Sequence, residues 1–152
     1  MKLDKNLREF IGLLNTHSVE FLVVGGHAVA FHGHPRFTGD IDFFVAINAA
    51  TADKLLIVLE AFGFASLGLT KADFLQPDAV IQLGYPPNRI DIVTGINAVT
   101  FDDAWSKRIS GDLDGLPVQY ISRDLLIRNK LAAGRPKDLA DAHAIDGTPG
   151  QP

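Results

Sequence analysis

The sequence predicts an α/β (α+β) fold in which helices pack around one mixed central sheet, and three observations predict it. Apolar runs of strand length recur at residues 21–24, 43–47, 79–83, 89–93 and 118–121. Between them lie segments whose apolar residues are three or four apart, the spacing of a helix with one buried face. No internal repeat and no linker-like stretch divides the chain, so these elements are expected to share one sheet and its covering helices.

Taken in order, Leu3, Leu7, Phe10, Ile11 and Leu14 form the stripe of an amphipathic first helix. Residues 21–24 are continuously apolar, as in a strand covered on both faces. Gly25 and Gly26 follow, then a short helical turn, a loop, and a second strand that opens with Asp40-Ile41-Asp42 and runs on to residue 47. Asn48 suits the cap of a helix whose stripe is Ala52, Leu55, Leu56, Leu59 and Phe62, and Gly63 suits its end. Residues 64–78 read as strand or loop. Residues 79–83 and 89–93 read as a hairpin turned by Tyr85-Pro86-Pro87-Asn88. Thr100 caps a helix carrying Phe101, Ala104 and Trp105, and residues 111–115 form an acidic turn before a strand at 118–121. Ser122 caps a helix with Leu125, Leu126 and Ile127 that ends at Gly134, and Pro136 opens a last helix ending near Gly147. Residues 1–147 are expected to form a single domain, with residues 148–152 a disordered tail.

The 152 residues suffice for a substantial core. Apolar residues make up 47% and charged ones 21%, as in a soluble globular protein. The chain has no cysteine, which excludes disulfides, zinc-thiolate sites and a cysteine nucleophile. Its net charge of -4 provides no basic field for nucleic acid, so an RNA substrate would need a local patch. No secretory signal and no bilayer-spanning run is visible, and a cytoplasmic location without membrane association is the expectation.

The chemistry gathers between residues 21 and 46. Asp40 and Asp42 stand at i and i+2, which on a strand puts both carboxylates on one face. Two acids side by side repel, a cost that makes sense if they hold a hard divalent cation, which carboxylates bind together with substrate phosphates. Glycines between a strand and a helix supply the complementary part, because backbone N–H groups can approach a phosphate where no side chain intervenes. Asp91 is the one acid inside the apolar strand at 89–93, where a carboxylate is either costly or in use, the plain alternative being an acid that guards a sheet edge. His27, His32 and His34 crowd nearby, but no cysteine or further histidine completes a transition-metal set.

At these residues the sequence resembles the nucleotidyltransferases of the DNA polymerase beta superfamily, in particular the small bacterial members related to toxin-antitoxin nucleotidyltransferases (AbiEii-like or minimal). The shared pattern is Gly25-Gly26 after a hydrophobic strand, a spacer, Asp40-Ile41-Asp42-Phe43, and Asp91 as the third carboxylate. The likeness runs from about Val19 to Asp141. It implies the nucleotidyltransferase fold and transfer of a nucleoside monophosphate from a nucleoside triphosphate to an acceptor hydroxyl, with release of pyrophosphate. Asp40, Asp42 and Asp91 would hold two Mg2+ (or Mn2+) ions, and Gly25 and Gly26 the triphosphate. Arg36 and Thr38, in the loop before Asp40, would reach the triphosphate or orient the loop.

A second stretch, IRNKLAAGRPKDLAD, is similar to a late motif of the toxin-related members. By that resemblance Lys130 and Lys137 neutralise phosphate charge, and Asp138 and Asp141 hold the helices together or orient the lysines. The bland reading is a solvated basic surface with Lys137 and Asp141 paired at i, i+4. The acceptor is not legible; a protein or tRNA hydroxyl is favoured, with a cognate toxin or antitoxin as partner. The competing readings are a catalytically silent nucleotide- or partner-binding module, and a metal-dependent phosphoesterase, which would have no need of the glycine pair.

Overall fold

The computed structural model describes residues 3–35 and 38–147; Arg36 and the tail at residues 148–152, both singled out above, lie outside the described residues. Strands β1 (Phe21–Val24), β2 (Asp40–Val45), β3 (Val80–Leu83), β4 (Arg89–Val93), β5 (Ile109–Leu113) and β6 (Leu116–Tyr120) form one mixed sheet. Their order across it is β3-β4-β2-β1-β6-β5. β2 runs parallel to β4 and β1 parallel to β6, while the other neighbours are antiparallel. Around the sheet stand α1 (Lys5–Thr16), α2 (Gly25–Phe31), α3 (Ala49–Phe62), α4 (Phe101–Ser106), α5 (Arg123–Ala133) and α6 (Pro136–Asp146). This is the mixed α/β architecture expected from the pattern of apolar runs.

Alternation along β2 decides which way the acids point. Phe43 packs against Phe10 of α1 and edge-on to Phe21, whereas Phe44 packs edge-on to Phe101 of α4. Successive side chains on a strand take opposite faces, so Asp40 and Asp42 share the face of Phe44, away from α1. Helix boundaries follow local chemistry. The Asn48 side chain accepts from the Thr51 amide at 2.8 Å, and Ser122 caps α5. Gly63 and Gly134 end α3 and α5 in the left-handed conformation that glycine adopts without strain.

Two expectations are corrected. Residues 64–78 are neither strand nor plain loop: 3-10 turns form at Ala65–Leu67 and Lys71–Leu75. The second is set by a capping box in which Asp73 Oδ2 accepts from the Thr70 amide at 2.7 Å. The acidic turn at residues 111–115 is narrower than expected, because residues up to 113 belong to β5, a strand whose Gly111 and Asp112 disguise it.

Gly111 is there for space. Phe31, at the end of α2, stacks on Tyr120 at 3.9 Å between ring centroids, and a Cβ on Gly111 would stand 2.9 Å from Phe31 and 3.0 Å from Tyr120. This stack anchors the far end of the helix that begins at Gly25. Among the described residues no helix is long and apolar enough to cross a membrane. Gly111→Ala should lower stability by about 1–3 kcal/mol, the usual cost of overpacking, as measured by urea unfolding; an unchanged midpoint would mean that the stack has room to yield.

Candidate active site

The strand-to-helix turn after β1 is built against the acid beside it. Val24 stands opposite Asp42 in the register of β1 and β2. Gly25 has φ +68°, and a Cβ there would lie 2.1 Å from Asp42 Oδ2. Conformation and space thus both demand glycine. α2 begins at once, with Val24 as its cap and no side-chain capping bond, so no cap side chain occupies its first amides. Gly25 and Gly26 both line a cleft of about 350 Å3.

The three acids meet across two parallel strands. Register places Asp42 beside Asp91 and Asp40 beside Arg89. β4 is an interior strand and Asp91 is only 5% exposed, so the edge-guarding alternative does not describe it. The Arg89 guanidinium lies among the acids: Nε donates to Asp91 Oδ1 at 2.9 Å, and Nη2 donates to Asp91 Oδ2 at 3.0 Å and to Asp40 Oδ2 at 2.9 Å. Among the described residues no cationic side chain is hydrogen-bonded to Asp42 in this way. Burial, then Asp91 through its charge and a shared hydrogen bond, and Asp40 through its charge, push the Asp42 carboxyl up to about 7; the Lys130 charge pulls the other way.

Arg89 is the residue that sequence reading missed. Its signal was available, because the alternation Arg89-Ile90-Asp91-Ile92 puts Arg89 on the face of Asp91.

The second cluster joins α5 to α6. Lys130 is buried, with Nζ 3.3 Å from Asp138 Oδ1 and 3.3 Å from Asp141 Oδ2. Arg135 closes the group, its Nε donating to Asp138 Oδ2 at 2.7 Å. The Arg135 hydrogen bond, with the Lys130 charge beside it, holds the Asp138 carboxyl below its usual range. Asp141 pairs with Lys130 across the two helices, where helical spacing alone suggested Lys137 as its partner. Lys137 is exposed, lines the cleft, and has no acid partner among the described residues. Thr38 lines the cleft too, and its hydroxyl donates to the Asp40 carbonyl at 3.0 Å. Asn129 of α5 donates to the Asn97 carbonyl at 3.1 Å, tying α5 to the segment that follows β4.

The two stretches noted in the sequence therefore converge, since Gly25, Gly26, Thr38, Asp40, Asp42, Lys130, Lys137 and Asp138 all line one cleft. Asp91 stands behind Asp42, and Asp141 behind Lys130. His27 and His32 are buried, and the His32 ring nitrogen Nε2 lies 2.8 Å from the Ile121 carbonyl. Among the described residues no three acid or histidine side chains stand in a ready-made metal cage; Arg89 holds Asp40 and Asp91 as they are. In donor type and charge the three carboxylates nevertheless suit a hard divalent cation, and the raised Asp42 carboxyl is that of an acid short of counter-charge.

Solved structures that share the fold include two nucleotidyltransferase-type proteins. A crystal structure of ANT(2")-Ia in complex with adenylyl-2"-tobramycin aligns with a TM-score of 0.56 at 15% identity, covering 91% of this chain and 84% of that one. An antigenic nucleotidyltransferase-like protein from Paracoccidioides brasiliensis aligns with a TM-score of 0.51 at 16% identity, covering 97% and 78%. At such identities the likeness is one of fold. A comparison with curated proteins finds no match. Residues 1–146 match the family described as "Nucleotidyltransferase of unknown function (DUF6036)", nearly the whole chain, and the protein belongs to that family.

Proposed function

We propose that the chain moves a nucleoside monophosphate from ATP or another nucleoside triphosphate to an acceptor hydroxyl, releasing pyrophosphate. The observation that carries this reading is the convergence in one cleft of a glycine turn, acidic side chains on β2 and an exposed lysine on α6 that has no acid partner among the described residues. Asp40, Asp42 and Asp91 would hold Mg2+ or Mn2+, which when bound neutralises charge on the reacting phosphate and activates the acceptor oxygen.

The other roles fall to the chain itself. Amides of Gly25 and Gly26 bind phosphate oxygens without interference from a side chain. Lys137 offsets the charge that grows on the leaving pyrophosphate. Lys130, already engaged by Asp138 and Asp141, acts mainly as the joint between α5 and α6 and as a source of positive potential for Asp42. Thr38 belongs to the segment that presents Asp40, and Arg36 would, by the sequence resemblance, reach the triphosphate or orient that segment. A hydroxyl on a protein or tRNA is the favoured acceptor, in a system of the toxin-antitoxin type, and the net charge of -4 weighs against bulk RNA binding.

A second reading, a catalytically silent nucleotide- or partner-binding module, has one observation in its favour: Arg89 already neutralises part of the acid cluster. Incubation with α-labelled nucleoside triphosphates, Mg2+ and cell lysate separates the two. Transfer of label to a macromolecule, reduced by about a hundredfold or more in Asp42→Asn, is the expected result; nucleotide binding without any transfer would favour the silent module.

The two lysines should also part company. Lys130→Met leaves two buried acids without their shared cation and should cost roughly 3 kcal/mol or more in urea unfolding. Lys137→Ala should change stability by no more than about 0.5 kcal/mol while weakening triphosphate binding measured by calorimetry.

Proton linkage gives a further expectation. Asp42 at about 7 in the fold stands above its ordinary 3.8, so the folded, cation-free protein keeps a proton that the unfolded chain has released. Stability should therefore fall as pH rises from about 4 to 7 and level off above. Thermal melts in chelator should show this decline flattened in Asp42→Asn; an equal decline in the variant would assign it to other groups.

A further inference from the structure

We propose that Arg89 sets the affinity of the acid cluster for a divalent cation, by holding Asp40 and Asp91 in the cation's absence and competing with it for their oxygens. The inference rests on the reading of Asp40, Asp42 and Asp91 as the cation site. Both oxygens of Asp91 accept from Arg89, at 2.9 and 3.0 Å, and the Nη2 that reaches Asp91 Oδ2 also reaches Asp40 Oδ2 at 2.9 Å. A positively charged donor thus already occupies lone pairs that an ion shared by these acids would need.

Arginine does not lose its proton in proteins, so it cannot relieve the competition by becoming neutral; it has to move. The two attachments differ in how easily they let go. Asp91 is held side-on through two bonds from the same strand, with a side chain 8% exposed. Asp40 is held across strands through one bond, with a side chain 34% exposed, where water can replace the guanidinium. The weaker attachment would therefore yield first, freeing Asp40 for the ion before Arg89 gives up the Asp91 oxygens. Arg89 is on this account a positioning residue. It keeps acids on neighbouring strands compatible with the fold when no ion is bound, and it makes ion binding weaker than the same acids would give alone.

The sign of the effect separates this role from a merely structural one. If Arg89 only propped up the acids, its loss would weaken ion binding; if it competes, its loss strengthens it. Mn2+ alone is titrated into the full chain and its free fraction read by electron paramagnetic resonance, for wild type, Arg89→Gln, Arg89→Lys and Asp42→Asn. Thermal melts of each protein are recorded in chelator and in Mn2+. Arg89→Gln should bind Mn2+ about tenfold or more tightly than wild type, a free-energy difference of about 1.4 kcal/mol, melt lower in chelator, and recover in Mn2+. Arg89→Lys keeps the charge but loses the side-on fork, and should bind more tightly than wild type by a smaller factor. Equal or weaker Mn2+ binding by a cooperatively folded Arg89→Gln overturns the proposal. Should that variant fail to fold, Arg89→Lys decides by the same criterion. Wild-type binding that Asp42→Asn abolishes but Arg89 variants leave unmoved sinks the competition alone; no Mn2+ binding by wild type or either Arg89 variant sinks the cation site with it.

Discussion

Three carboxylates on two adjacent parallel strands repel one another, and much of the surrounding structure answers that repulsion. Asp42 and Asp91 are neighbours in register, Asp40 is two residues from Asp42 on the same face, and neither Asp42 nor Asp91 is well hydrated. Burying like charges is costly unless they are neutralised. Here the neutralising groups are a proton retained on Asp42, the Arg89 guanidinium between Asp40 and Asp91, and the Lys130 charge nearby. The proton and the Arg89 contact to Asp40 can yield to a stronger counter-charge, whereas Lys130 is fixed by its own acids.

The rest of the fold supplies the fixed geometry around that cluster. Gly25 lets the chain turn within contact of Asp42, where any side chain would collide with the carboxylate. The stack of Phe31 on Tyr120 pins the helix that follows the turn. Lys130, Asp138, Asp141 and Arg135 lock α5 to α6, while Lys137 stays exposed at the cleft. A buried network engaged within itself serves as framework, and on the proposed function the exposed Lys137, without an acid partner among the described residues, is the contact.

Much of this was legible because local rules and the fold agreed. Asp40-Ile41-Asp42 declared its face by alternation, and Asn48, Gly63, Ser122 and Gly134 declared helix ends by their own chemistry. What escaped depended on partners distant in sequence. Gly111 and Asp112 disguise β5: Gly111 reflects the space needed by Phe31 and Tyr120, and the Asp112 side chain accepts from the Gly115 amide in the turn that follows. The turn at Lys71–Leu75 is too short to carry a period, although Thr70 and Asp73 already spelled its cap. Arg89 looked like an ordinary strand-end charge until β2 was laid beside β4. Helical spacing pointed Asp141 to Lys137, and the packing of α5 on α6 gave it to Lys130 instead.

On the proposed function, one cleft binds a triphosphate through a cation held by these acids. Isothermal titration of nucleoside triphosphate with Mg2+ into the wild-type chain and into Asp42→Asn tests it most directly. Saturable binding by wild type that disappears in chelator and in a folded Asp42→Asn is the predicted result. Binding that survives both, or a folded wild-type chain that takes up no nucleotide, would contradict the account.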